Sequence, residues 1–521
     1  MVDGKATAMP PVGVEAPSAP VDNLTSQTVR GVQWTYISTA AAGVLQMGSA
    51  AVLGRLLTPA AFGLVAMALL ALQFTNTFAR MGVGPALIQK RKLSTDEIRA
   101  GFTASLGLGA TVAGLVWVAA PLAASAFHEP ELVPVLRALG LTLILHGAGL
   151  PADSLLRRQL RFRERELLRV LSYAVGYTAV GTIFALLGAG VWSLVAANLV
   201  QTLMSSALHY SRVRHPLRPI FRWDAYRALF SFGSRVSLIS LLEYIGSNLD
   251  TFAVGRYASA AVLGQYNRAF VLVGIPIRQL NHGLSNVLFP SLSRLQSDVL
   301  RLRRTYLFGV SASSALLLPL CAGMAVAARE IVLVVFGPQW QPVIAILPFI
   351  ALANSFGTLT HFAAIVTEAQ GELNKKMILQ TSYLVALGLL LLPALGRGLW
   401  AYAAAFAAAK VLQHVGYILL LRHTLALGLL EYGRVYLRSV LSAGITAAVI
   451  FLGQRAAIAA GAPLWAVLLV DVALGAVSLL VLFRWGTLRS TARQFQELLT
   501  KAGMSGGTAP GRVARIVLGP F

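Results

Sequence analysis

Apolar runs of roughly 20 residues, each closed by a short cluster of charged or turn-forming residues, recur from residue 31 to residue 483. The hydrocarbon core of a bilayer is about 30 Å thick, and an α-helix crosses it in about 20 residues. The pattern therefore predicts an all-α integral membrane protein. Its fourteen helices are expected near 31–54, 61–83, 100–124, 132–153, 168–187, 190–209, 228–252, 262–288, 305–327, 341–365, 374–395, 398–421, 434–454 and 463–483. Residues 1–28, rich in Pro and Ala, lack a basic start leading into an apolar core and read as a disordered cytosolic tail. Residues 487–521 read as a second cytosolic tail.

The pattern repeats. Gly54, Arg55, Gly63 and Gly82 recur as Gly255, Arg256, Gly264 and Gly283 at one constant shift, and Gly188-x-Gly190-Val191-Trp192 is echoed by Gly396-x-Gly398-Leu399-Trp400. Because six spans separate the echoes, both halves enter the membrane in the same direction. The expected plan is two six-helix lobes in a parallel repeat, 29–215 and 216–424, followed by two C-terminal helices within 425–486. Such repeats suit alternating access, with substrate held near the midplane between lobes.

Composition agrees with the pattern. With 56% hydrophobic residues, 12% charged residues and a mean hydropathy of +0.70, too little polar surface remains to cover a soluble domain of 521 residues. The net charge of +23 raises nucleic acid as a partner, but the cations are scattered over short loops rather than gathered on one face. Topology explains them better: with the N-terminus cytosolic, thirty-one of the 43 lysines and arginines fall in tails and inner loops and five in outer loops. That asymmetry places both termini inside. Cys321 is the only cysteine, which excludes an intrachain disulfide.

Ionisable residues at bilayer depth are costly and mark a site by default. The stretch 230–290 is dense in them. Arg235, Glu243 and Asp250 share one helical stripe, Gln265 and Arg268 lie on the next helix, and Arg278 and Gln279 follow Pro276, which is expected to bend that helix. Arg80 and Lys410 are further cations within or at the edge of spans. Glu243 and Asp250 either neutralise these cations or bind a coupling proton or sodium. Gln265 and Gln279 hydrogen-bond a substrate or a neighbouring helix; the residues alone do not separate the two.

Other features read as structural. The run LLRRQLRFRERELLR, with Arg157, Arg158, Arg161, Arg163, Arg165 and Arg169, is expected to lie along the inner membrane surface, as a topology signal or in contact with lipid phosphate. Gly101, Ser105, Gly109 and Ala113 recur every four residues and predict a close helix–helix seam. Trp192, Trp340, Trp400 and Trp465 sit near outer helix starts as interfacial anchors. His128, Glu129 and Glu131 form no convincing metal set, and no metal or other cofactor is expected.

LLTPAAFGLVAMA at 56–68, GVGPALIQ at 82–89, FHEPELVPVLRAL at 127–139, LLRRQLRFRE at 155–164, GAGVWSLV at 188–195 and FGPQW at 336–340 resemble bacterial exopolysaccharide and lipopolysaccharide flippases. These are the polysaccharide transporters of the multidrug, oligosaccharidyl-lipid and polysaccharide exporter superfamily. The resemblance implies a flippase of the inner membrane, not an enzyme. Its substrate would be an undecaprenyl-pyrophosphate-linked oligosaccharide repeat unit, and a polysaccharide polymerase and export machinery would act beside it. On that reading Arg278, Arg268, Arg235, Arg80 and Lys410 are candidates for holding the pyrophosphate, because a guanidinium offers a permanent charge and a fork of donors matched to phosphate oxygens. A drug efflux antiporter is the alternative, against which the first span carries no acidic residue. A membrane glycosyltransferase, polymerase or ligase is a third, against which every predicted outer loop is short.

Overall fold

The computed structural model describes residues 41–79, 83–90, 93–221, 234–294 and 299–489. In chain order its helices are α1 (41–56), α2 (Pro59–Ala79), α3 (Val83–Gln89), α4 (Thr95–Phe127), α5 (Leu132–Arg158), α6 (Phe162–Leu186), α7 (Val191–Val213), α8 (Ser234–Tyr257), α9 (Ala260–Arg294), α10 (Val299–Val326), α11 (Ala328–Val335), α12 (Pro342–Ala369), α13 (Leu373–Leu391), α14 (Leu399–Thr424), α15 (Leu429–Ala459) and α16 (Leu464–Arg484). Among the described residues eleven helices are long and apolar enough to cross a membrane, and there is no strand. Local sequence sets the ends. Ser94 caps α4 through the Glu97 amide while the Glu97 carboxylate accepts from the Ser94 amide, and His128 closes the helix in the left-handed region at φ 56°.

The chain forms two compact units, one of residues 68–241 and one of residues 43–67 with 242 onward. In the first, the small-residue stripe of α4 is the seam against α5. Ser105 Oγ donates to the Gly147 carbonyl at 2.7 Å, and a Cβ on Gly109 would collide with the Leu143 carbonyl. Without side chains between them the backbones approach closely, which is how helices bind one another in lipid. Helix α6 differs from expectation: it starts at Phe162, six residues before the predicted span, and runs to Leu186 through a π-helical stretch at Ala174–Gly181. The basic run thus spans the end of α5, a short turn and the start of α6, with Arg157 and Arg158 on the first helix and Arg163, Arg165 and Arg169 on the second.

In the second unit the echoed motifs meet each other. A Cβ on Gly63 would collide with the Ala260 carbonyl, and a Cβ on Gly264 with the Pro59 carbonyl. Residues 59 and 63 correspond to 260 and 264 at the shift read from the sequence, so the contact is reciprocal, as across a two-fold axis. The FGPQW segment docks beside it: Trp340 Nε1 and Gln339 Nε2 each donate to the Gly54 carbonyl at 2.7 Å, and Arg55 reaches the Val334 and Val335 carbonyls. Trp340 is therefore fully buried, not an interfacial anchor, whereas Trp192, Trp400 and Trp465 are 45–59% exposed as expected. Helix α9 continues through Pro276. Helix α15 packs on α10, joined by a Ser314–Ser439 hydroxyl pair at 2.9 Å and a Tyr306–Tyr432 ring contact.

Candidate functional site

Within the first unit, α2, α3, α4, α5, α6 and α7 enclose a cavity of about 700 Å³. One wall is a ladder of alternating charge. Arg157 pairs with Asp153 at 3.0 Å, Asp153 with Arg165 at 2.5 Å, Arg165 with Glu166 at 2.8 Å and Glu166 with Arg169 at 2.6 Å. Helical spacing builds it: Asp153 and Arg157 are one turn apart on α5, as are Glu166 and Arg169 on α6, and Arg165 bridges the two helices. The remaining lining mixes leucines and glycines with hydroxyl, amide and imidazole groups, including Asn198, Gln201, Ser205 and His209, and among the described residues it contains no Phe, Tyr or Trp. Three guanidinium groups against two carboxylates leave the ladder one positive charge in excess, so the cavity favours an anion that also accepts hydrogen bonds.

The second unit holds a filled polar cluster. Asp250 of α8 is 1% exposed and accepts from the Tyr266 hydroxyl of α9 at 2.8 Å. Lys410 of α14 acts on that carboxylate electrostatically, lies 4.1 Å from the centre of the Tyr383 ring and donates to Gln413 at 3.3 Å. Gln413 donates in turn to Gln380 of α13 at 3.1 Å. Gly246, one turn before Asp250, makes room: a Cβ there would strike the Gln380 amide. This is a buried cluster in which the lysine and the carboxylate attract each other through space.

Of the residues expected at a site, the structure brings Asp250 and Lys410 together. Arg268 is held elsewhere, with its guanidinium 4.2 Å from the centre of the Phe62 ring and donating to Asn267 at 3.2 Å. Gln265 is half-buried on α9, and Arg278 is exposed, with its guanidinium close to Gly274. Arg80 and the side chains of Arg235, Glu243 and Gln279 lie outside the described residues. Sequence reasoning noticed the arginines of the ladder but not Asp153, Glu166 or His209; the spacing of Asp153 to Arg157 and Glu166 to Arg169 was the available signal.

A family model described as polysaccharide biosynthesis protein matches residues 52–345. The chain is 26% identical over 344 residues to the lipopolysaccharide biosynthesis protein WzxC of Escherichia coli (strain K12), covering 64% of this chain and 69% of that one. It is 29% identical over 345 residues to the succinoglycan biosynthesis transport protein ExoT of Rhizobium meliloti (strain 1021), covering 66% and 69%. Among solved structures, the lipid II flippase MurJ in an inward closed conformation superposes with a TM-score of 0.68 at 12% identity, covering 87% of this chain and 99% of that one. An inward-facing multidrug resistance MATE family transporter of the MOP superfamily gives 0.59 at 15% identity, covering 75% and 98%. At those identities the two structures show a shared fold.

Proposed function

Because the chain belongs to the polysaccharide biosynthesis protein family, we propose that it is a flippase for undecaprenyl-pyrophosphate-linked oligosaccharide repeat units. It carries them from the cytoplasmic to the periplasmic leaflet for exopolysaccharide or lipopolysaccharide assembly. One observation of the molecule carries this reading: a chain otherwise apolar enough to live in lipid lines a cavity of about 700 Å³ with three arginines, one aspartate and a set of hydroxyls and amides. Lipid offers no partner for an ionised headgroup, so arginines and hydroxyls turned into a cavity are a means of moving one across it.

The finer arrangement belongs to the same proposal. Fourteen spans form two six-helix lobes, 29–215 and 216–424, with a C-terminal pair in 425–486, and both termini are cytosolic. The lobes expose the site alternately to each side, and membrane potential or an ion gradient gives direction. Arg278, Arg268, Arg235, Arg80 and Lys410 attend the pyrophosphate, Gln265 and Gln279 the sugar, and Glu243 and Asp250 balance charge in the substrate's absence. A polymerase consumes the product.

The test is a deletion strain with extraction of lipid-linked oligosaccharides. Polysaccharide output should stop while lipid-linked repeat units accumulate, and the wild-type chain should restore output. Arg278→Ala, at equal membrane abundance, should not restore it. Normal output in the deletion strain removes the flippase reading, and full complementation by the variant removes Arg278 from the substrate's path.

A further inference from the structure

We propose that the arginine ladder of the first unit is an exchange site for a pyrophosphate-type anion, in which Asp153 and Glu166 are built-in anions that the ligand displaces. The flippase reading supplies only the expected source of that anion; the site itself rests on geometry. Asp153 is shared by Arg157 and Arg165, and Glu166 by Arg165 and Arg169, so each carboxylate lies between two cations, as a bridging phosphate oxygen would. A ladder that served only to fasten α5 to α6 would have no use for an open cavity along its side, yet all three arginines line one.

Three further features point the same way. The ladder's ends, Arg157 and Arg169, have side chains 44% exposed, and its interior members 16–21%. A ligand therefore meets the ladder first at its two accessible arginines, where ion pairs contribute little to stability. His209, 7% exposed, lines the same cavity, and its Nε2 has no hydrogen-bond partner among the described residues. Buried polar atoms ordinarily have one, and a bound oxyanion would supply it. Finally, among the described residues the lining has no Phe, Tyr or Trp ring on which a sugar face would stack. The cavity therefore suits the charged part of a phosphorylated lipid or a free pyrophosphate. Guanidinium groups already aligned by carboxylates lose little freedom when the ligand arrives.

The two carboxylates then compete with the ligand, which gives the proposal a signature that a structural ladder lacks. The purified full-length protein in detergent is titrated with farnesyl pyrophosphate and, separately, with inorganic pyrophosphate. Arg165→Gln should weaken binding at least about tenfold, whereas Asp153→Asn and Glu166→Gln should each tighten it about threefold or more. Should Arg165→Gln fail to fold, the exposed-end variants Arg157→Gln and Arg169→Gln should weaken binding in the same direction. Binding of both probes identifies a free-anion site, and binding of the farnesyl compound alone identifies a lipid-borne headgroup. Binding of neither probe overturns the proposal. So do Asp153→Asn and Glu166→Gln variants that are folded and bind no more tightly than wild type. If the binding pattern appears but the deletion strain transports normally, the exchange site stands and the flippase reading fails. If transport is lost but the pattern is absent, the reverse holds.

Discussion

Lys410→Met keeps the length of the side chain and removes its charge, leaving the Asp250 carboxylate at 1% exposure with the Tyr266 hydroxyl donating to it. Its Oδ1 has no hydrogen-bond partner among the described residues, and the ammonium stabilises the carboxylate through space. Removing one member of a buried pair typically costs about 3–5 kcal/mol, because the remaining charge is stranded. Asp250→Asn relieves that cost: an amide carbonyl still accepts from Tyr266, and no charge needs a partner. The single variant Lys410→Met should therefore be the least stable, and Asp250→Asn/Lys410→Met should recover more than half of the loss. Unfolding of purified protein in a detergent titration series gives the cycle. Effects that add within about 0.5 kcal/mol would mean that the two groups do not interact and would refute the argument.

Two further expectations concern the reciprocal contact. Gly63→Ala and Gly264→Ala should each destabilise by about 1–3 kcal/mol despite the gain in helix propensity, since a carbonyl of the facing helix cannot rotate away. Together they should cost less than their sum, because both part the same pair of helices; thermal unfolding of the four proteins tests this. Trp340→Phe keeps the ring contacts to Phe62 and Phe336 but loses the hydrogen bond to Gly54, whose carbonyl still accepts from Gln339. The expected loss is about 1 kcal/mol, read from the same unfolding curves, and a loss beyond about 3 kcal/mol would show that the carbonyl depends on the indole.

Features that depend on local periodicity were legible in the chain. The apolar spans, the Gly101–Ala113 seam and the duplicated Gly-Arg motif all translate into helix faces, and each face has one partner type that suits it. The site was less legible because it depends on which spans become neighbours. Arg278 draws attention by its depth in the sequence, yet that position alone does not say what its side chain meets. Asp153 looks like the end of an apolar span and Glu166 like an ordinary member of a charged loop until α6 is extended back to Phe162, which brings Arg165 within 2.5 Å of Asp153. Trp340 shows the same limit: a tryptophan at a helix start reads as an anchor, and only the fold brings the Gly54 carbonyl to its indole nitrogen.

The duplication also shows corresponding positions put to different uses. The echo of Gly190-Val191-Trp192 in Gly398-Leu399-Trp400 aligns α7 with α14, placing Thr202 opposite Lys410 and Ser205 opposite Gln413. In α7 these are short hydroxyls lining open polar space; in α14 the same positions carry long side chains that reach Tyr383 and Gln380 and fill it. The other shift places Ser49 opposite Asp250, and Ser49 satisfies itself on the Leu45 carbonyl at 2.9 Å, so the α1 position needs no cation where α8 needs Lys410. One half has therefore placed a cation and a buried carboxylate where the other has hydroxyls. The other has left three arginines along a cavity, the two at the ends of the ladder accessible to a ligand. Where two halves share an ancestral plan, the half whose charges are still exchangeable is the one equipped to take up an anion.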